Sequence, residues 1–336
     1  METLIYDKLD DKAVQCNICH HFCIIKEGKK GICQVRENSG GRLLSLVYSK
    51  VIANSVDPIE KKPLFHLKPG SYSYSIATMG CNFKCSFCQN SNIAQVSPEY
   101  GTMIHGQDML PETIVQEALN ANCASISYTY TEPTIFCELA LETARLAKEK
   151  GLLNIFVTNG YMSTKLLEML SPCLDAANVD LKAFNNKFYQ TYCKASLEPV
   201  KKNIIKMKKM GILVEITTLL IPGLNDDPDD IEAMAKFIAN DVGMDTPWHI
   251  SRFHPSYKMN DRPATPVADL ERAYNAGKTA GLRYVYIGNV PGQSQENTHC
   301  HSCGEILVER YAYNIENYMD NRGRCPGCGT TALGIY

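Results

Sequence analysis

Cys81-Asn82-Phe83-Lys84-Cys85-Ser86-Phe87-Cys88 sets three cysteines at C-x3-C-x2-C spacing directly after a β-rich run at 71–80. A cubic iron–sulfur cluster takes four thiolates, one for each iron. Three thiolates from one short loop would hold three irons and leave the fourth open to a substrate or cosubstrate. That is the local chemistry needed to bind a small molecule on iron and pass it an electron. The competing account, a zinc site short of a ligand, is disfavoured because structural zinc takes four protein ligands and no fourth lies nearby in sequence.

Cysteine usage elsewhere supports a metal-rich chain. Eleven of the fifteen cysteines fall into three groups, 16/19/23/33, 81/85/88 and 300/303/325/328. An odd count without a secretory leader argues for thiolate–metal chemistry in a reducing, cytoplasmic setting rather than for a disulfide framework. The start, Met1 to Asp10, carries acids and lacks a long apolar core, so it does not read as a signal peptide. Cys123, Cys137, Cys173 and Cys193 are scattered and read as small buried hydrophobes. With 336 residues, 45% hydrophobic and 21% charged, the chain can bury a large core. A net charge of −2 gives no global case for binding nucleic acid or an anionic membrane. Lys201, Lys202, Lys206, Lys208 and Lys209 form one basic helical face, read as solvated.

Outward from the central loop, Cys16, Cys19, Cys23 and Cys33 are spaced to complete a four-thiolate site, with Gly28 and Gly31 letting the loop fold back. Zinc is the favoured occupant and a second iron–sulfur cluster the alternative. His20 and His21 could substitute as ligands, though four thiolates are already at hand. The stretch 42–53 alternates apolar and polar residues, as a strand or hairpin would. Near the other end, Cys300-His301-Ser302-Cys303 and Cys325-Pro326-Gly327-Cys328 are two C-x2-C knuckles of zinc-ribbon type.

Between these ends, apolar β-branched runs recur at 125–131, 153–158, 177–184, 213–222, 248–254 and 282–288, separated by amphipathic segments. With 71–80 they make about seven strands. Asp227 before Pro228, Thr265 before Pro266 and Ser163 are the expected helix starts. Continuous apolar strands alternating with helices imply an α/β fold with a parallel sheet, and seven of them suggest a partial (β/α) TIM-like barrel. Strand ends in such a fold build the site. They carry Glu132, the Thr158-Asn159-Gly160 turn, Asp180 with Lys182, and Arg252 with His254. Glu132 could accept the ammonium of an amino-acid-like ligand on the open iron, and Asn159 could read a ribose or carboxylate.

The cysteine spacing, with Phe87 before the third thiol, resembles the signature of the radical S-adenosylmethionine (SAM) superfamily. Cys88-Gln89-Asn90, Thr158-Asn159-Gly160, Asp180-Leu181-Lys182 and His254 extend that likeness to the glycyl-radical-enzyme activases, typified by pyruvate formate-lyase activating enzyme. The resemblance implies that Cys81, Cys85 and Cys88 bind a [4Fe–4S] cluster and that Asp180, Lys182 and His254 lie around SAM. Activases carry an acid before the Thr-Asn-Gly, part of a monovalent cation site. Val157 stands there and Asn178 also differs, so that site is not carried over. A match over nearly the whole chain, including Cys16–Cys33 with Val35-Arg36-Glu37-Asn38, Tyr130-Thr131-Glu132-Pro133, Gly288-Asn289-Val290 and the terminal ribbon, resembles the radical SAM member of the AmmeMemoRadiSam system.

The expected organisation is a Cys-rich segment at 1–70, a radical SAM core barrel at 71–295 and a zinc-ribbon-like module at 296–336. The expected activity is reductive cleavage of SAM to methionine and a 5′-deoxyadenosyl radical that abstracts hydrogen from a substrate. Phe87, Glu132, Asn159, Asp180, Lys182 and His254 are the expected cofactor contacts. The expected partners are SAM, a low-potential electron donor and a protein substrate, without membrane or nucleic acid. A small metabolite or RNA substrate is the alternative within this class. A multi-centre electron-transfer protein is the alternative outside it, disfavoured because electron transfer needs neither an open iron nor polar strand ends.

Overall fold

Apolar runs too short for helices, each followed by an amphipathic segment, fold as parallel strands with a helix after each. The computed structural model describes residues 1–96, 103–290, 292 and 294–336, and these divide into two compact units.

The first unit comprises Met1–Asp57, Ser73–Asp175 and Tyr192–Ala195. Its sheet strands are β1 (Lys50–Pro58), β2 (Tyr72–Thr78), β3 (Gln107–Asp108), β4 (Ser125–Tyr128) and β5 (Leu153–Thr158), in the order β3-β1-β2-β4-β5. β2 and β5 both pair in parallel with β4, which is buried along its whole length. The edge strand β3 runs antiparallel to β1. Helix α1 (Pro111–Asn120) precedes β4, and α2 (Cys137–Glu149) connects it to β5. α2 buries Leu139, Ala140, Ala144 and Ala147 on one face, spaced for helix packing. Ser163 caps α3 (Thr164–Leu170) by accepting from Leu166 N at 3.2 Å, as its position in the sequence implied. The stretch expected as one strand or hairpin near 42–53 resolves into two elements: a hairpin of Arg36–Ser39 with Arg42–Ser45, then β1.

The second unit comprises Pro58–Tyr72, Ala176–Thr191 and Ser196–Tyr336. β6 (Ala176–Asp180), β7 (Leu213–Leu220), β8 (Trp248–Arg252) and β9 (Val285–Gly288) are parallel neighbours in that order. Helices α4 (Leu197–Lys209), α5 (Pro228–Phe237) and α6 (Val267–Thr279) alternate with them. Asp227 caps α5, accepting from Asp229 N at 2.9 Å. The expected cap at Thr265 is not made. α6 starts after Pro266 without a side-chain cap. The Thr265 hydroxyl instead accepts from Phe253 N at 2.9 Å and donates to Leu220 O at 2.6 Å. A buried hydroxyl beside a free strand carbonyl forms the bond that leaves no orphan, and that outweighs the capping propensity.

One carboxylate lies inside the apolar strand β7. Glu215 is fully buried and accepts from Phe65 N at 3.1 Å, His66 N at 2.8 Å and His249 Nε2 at 2.6 Å. His66 continues the network to Tyr286 and to the Leu333 carbonyl, tying the chain's last residues to the same polar centre. Those last residues form a small antiparallel sheet of Thr298–His299, Ile306–Tyr311 and Asn314–Asn317 around Leu307, Val308 and Met319. No helix among the described residues is long and apolar enough to cross a membrane.

Candidate active site and thiol groups

The central loop leaves β2 through Gly80, whose φ is +97°. A Cβ there would lie 2.7 Å from Val35 Cγ1 and 3.1 Å from the Cys33 carbonyl, so side chains are excluded by both conformation and space. The loop is then pinned by Lys84 N donating to Cys193 O at 2.9 Å and Ser86 N to Tyr192 O at 3.0 Å. Phe83 packs edge-on against Tyr161, ring centroids 5.1 Å apart. Cys85 and Phe87 are buried, Cys81 and Cys88 half-buried. Burial, the Glu132 carboxylate and the Cys85 and Cys88 thiols together push the Cys81 pKa well above the usual thiol range. Thiols that resist ionisation in mutual company are relieved by a bound cation. Three mutually coupled thiols in one short loop fit three corners of an iron–sulfur cluster.

Glu132 closes β4 and organises the adjoining strand end. Its Oε1 accepts from Thr134 N at 3.1 Å, Thr134 Oγ1 at 2.5 Å and Thr158 Oγ1 at 2.7 Å, and Oε2 accepts from Asn159 N at 2.8 Å. It thus caps the short helical turn Pro133–Phe136 and fixes the turn after β5. Burial raises its pKa despite these four donors. Asn159, 5% exposed, donates through Nδ2 to Asn82 Oδ1 at 2.7 Å and so reaches the cysteine loop. Asn90 Nδ2 donates to Tyr130 O at 2.7 Å, and Thr131 Oγ1 to Thr78 O at 2.8 Å. Cys81, Cys85, Cys88, Phe87, Glu132 and Asn159 are therefore carried on neighbouring strand ends of one unit. In the second unit, Lys182 Nζ pairs with Asp180 at 2.7 Å at the end of β6, while His254 is exposed just after β8.

The N-terminal cysteines are carried on a three-stranded antiparallel sheet of Tyr6–Lys8, Val14–Cys16 and Ile24–Ile25 and the loops around it. Cys16, Cys19 and Cys33 are buried and Cys23 half-buried. Burial pushes Cys16 up to about 11. The Cys16–Cys23 loop is docked on the turn after β5 by a Cys19–Met162 bridge, His20 N to Tyr161 O at 3.0 Å and Ser163 N to Ile18 O at 2.9 Å. His21 Nε2 donates to Asn82 O at 2.8 Å, so it spans to the central loop. Arg36 is fully buried and makes a fork-to-fork pair with Glu138, both N–O distances 2.8 Å. Sequence alone marks neither Asn82 nor the Arg36–Glu138 pair as structurally decisive. Asn82 has one usable signal, its position inside the cysteine motif. The ion pair has none, since its partners are about a hundred residues apart.

In the C-terminal module the sulfurs of Cys300, Cys303, Cys325 and Cys328 all lie within 4.8 Å of one another. Cys300–Cys328 and Cys303–Cys325 are each 3.6 Å apart. A tetrahedron with zinc–sulfur bonds of 2.3 Å spaces its sulfurs about 3.8 Å apart, so this group is shaped for a single metal ion.

Residues 75–238 match the family model of the radical SAM superfamily, and the chain carries a radical SAM domain. It belongs to one family with the uncharacterised protein MJ0808 of Methanocaldococcus jannaschii. The two are 47% identical over 330 residues, 98% of this chain and 97% of the relative. More distantly, pyruvate formate-lyase-activating enzyme of Clostridium pasteurianum is 21% identical over 191 residues, 54% of this chain and 77% of that enzyme. A radical SAM methyltransferase from Sphaerobacter thermophilus shares the fold, with TM-score 0.51 and 16% identity over 71% of each chain.

Proposed function

We propose that this chain is an activase-like radical SAM oxidoreductase of the AmmeMemoRadiSam type, acting on a protein substrate. The observation that carries the reading is the cysteine loop beside the Glu132–Asn159 strand ends. Cys81, Cys85 and Cys88 would hold a [4Fe–4S] cluster, which would supply the low-potential electron for cleavage of SAM to methionine and a hydrogen-abstracting 5′-deoxyadenosyl radical. The protein's own part is positional. Glu132 fixes Asn159, Asn159 fixes Asn82, and the loop is thereby held in one arrangement.

Glu132 keeps one acceptor direction on Oε2, because Oε1 takes three donors and Oε2 one. That direction is the proposed contact for the SAM ammonium. Phe87, Asn159, Asp180, Lys182 and His254 are the other proposed SAM contacts. The distant likeness to a pyruvate formate-lyase-activating enzyme favours a polypeptide as hydrogen donor over a metabolite or RNA. A low-potential electron donor in the cytoplasm is the proposed partner, and zinc the proposed occupant of the C-terminal thiols. The proposed domain order remains 1–70, 71–295 and 296–336.

The test is anaerobic loading with iron and sulfide, then addition of SAM and dithionite. Methionine and 5′-deoxyadenosine are the expected products. A fully loaded protein that forms no 5′-deoxyadenosine overturns the reading.

A further inference from the structure

The four N-terminal thiols have no part in the activity proposed above, and their arrangement differs from that of the C-terminal four. Cys16, Cys19, Cys23 and Cys33 line one cavity of about 20 Å³, together with Arg36 and Asn82. A site that admits one water needs about 10–15 Å³, so the thiols surround space instead of converging on a point. The C-terminal sulfurs, by contrast, all lie within 4.8 Å of one another. Zinc at 2.3 Å from four sulfurs requires them about 3.8 Å apart and leaves no such void. A polynuclear core puts a separate iron in front of each thiolate and holds the sulfurs farther apart.

Asn82 is 1% exposed and forms part of the wall of this cavity. Asn82 also follows Cys81 directly in the chain, so the cavity wall and the central thiol loop share a residue.

We propose that Cys16, Cys19, Cys23 and Cys33 hold a second iron–sulfur cluster, fully ligated by protein, that relays electrons through the Asn82 segment to the cluster at Cys81, Cys85 and Cys88. Four thiolates leave no open iron, so this centre carries electrons and does not bind SAM. In the relay step the N-terminal cluster loses one electron and the central cluster gains it. A low-potential one-electron donor of flavodoxin or ferredoxin type then restores the first. The relay rests on the central loop being a cluster site; the metal assignment of the N-terminal thiols does not.

The metal assignment is tested in the full chain with Cys81→Ala, Cys85→Ala and Cys88→Ala combined, reconstituted anaerobically with ferrous iron, sulfide and an equal amount of zinc. About four irons, about four labile sulfides and one zinc per chain are expected. Adding Cys19→Ala should remove the iron and leave the zinc. Two zincs without labile sulfide, or no metal at the N-terminal site, overturns the assignment. If the triple variant does not fold, Mössbauer spectra of the unaltered chain decide, with about eight irons in two clusters expected and about four irons with two zincs refuting. For the relay, Cys19→Ala alone should slow reduction of the remaining cluster by reduced flavodoxin at least tenfold, followed by stopped-flow absorbance. An unchanged rate overturns the relay.

Discussion

Replacing Glu132 by glutamine separates a positioning role in SAM binding from a purely structural one. In the native side chain Oε1 takes three donors and Oε2 takes Asn159 N at 2.8 Å. The two threonine hydroxyls can accept as well as donate, so a glutamine must set its NH2 against one backbone N–H, and with its oxygen on the Oε1 side it spares Thr134 N. Its NH2 group would then face the Asn159 N–H, donor against donor. The change deletes one charge-assisted bond, about 1.5–3 kcal/mol, and pushes on the turn that holds Asn82. If that turn and the free Oε2 direction hold SAM, affinity should fall roughly ten- to a hundredfold. Iron and sulfide content should stay unchanged, since no thiol is touched. The assay is titration of SAM into the loaded variant, with a denaturation curve on the same sample. A dissociation constant within twofold of wild type, together with a lowered unfolding midpoint, would show that Glu132 only caps its helical turn.

Three further outcomes are expected. Cys85→Ala should abolish cluster loading at the central loop while far-ultraviolet circular dichroism stays native, and retained SAM cleavage would remove Cys85 from the ligand set. Arg36→Met should cost about 3–5 kcal/mol in urea unfolding, because it strands a buried carboxylate. The paired Arg36→Met, Glu138→Gln variant should recover most of that loss, and failure to do so would mean that Arg36 acts through other contacts. Burial lowers the His66 pKa to about 4, against an ordinary value near 6.5. The folded protein therefore holds fewer protons than the unfolded chain between those pH values. Stability is full above about 6.5 and falls as pH drops towards 4, by up to about 3 kcal/mol from this residue. His66→Gln should flatten the stability–pH curve in that window, and curves that stay parallel would contradict the assignment.

The parallel strands were legible in the sequence because each is an uninterrupted apolar run between helix starts with local capping chemistry. Ser163 and Asp227 cap as their positions imply. Thr265 does not, because a nearby strand carbonyl competes for its hydroxyl, and that carbonyl comes from Leu220, distant in sequence. Glu215 interrupts an apolar run and carries no local sign that two backbone N–H groups from residues 65 and 66 converge on it. The three cysteine groups stand out by spacing alone. What spacing could not show is that the N-terminal thiols line a cavity while the C-terminal sulfurs converge within 4.8 Å. Pro133 directly after Glu132 is a local sign of a helix start, but the reach of Glu132 to Thr158 and Asn159 depends on strand order and becomes visible only in the fold.

The docking of the first forty-five residues bears on how this protein can be dissected. A chain trimmed to begin at residue 75, where the family match starts, would lose Arg36 and leave the Glu138 carboxyl without its cation. It would also strip Val35 and Cys33 from the back of Gly80, the hinge on which the cysteine loop turns. The His21 donor to Asn82 O would go with them. The superfamily segment of this chain is therefore expected not to fold on its own. The leading residues form the floor beneath its cysteine loop, and deletions meant to isolate the catalytic portion should yield protein that neither loads iron nor survives purification.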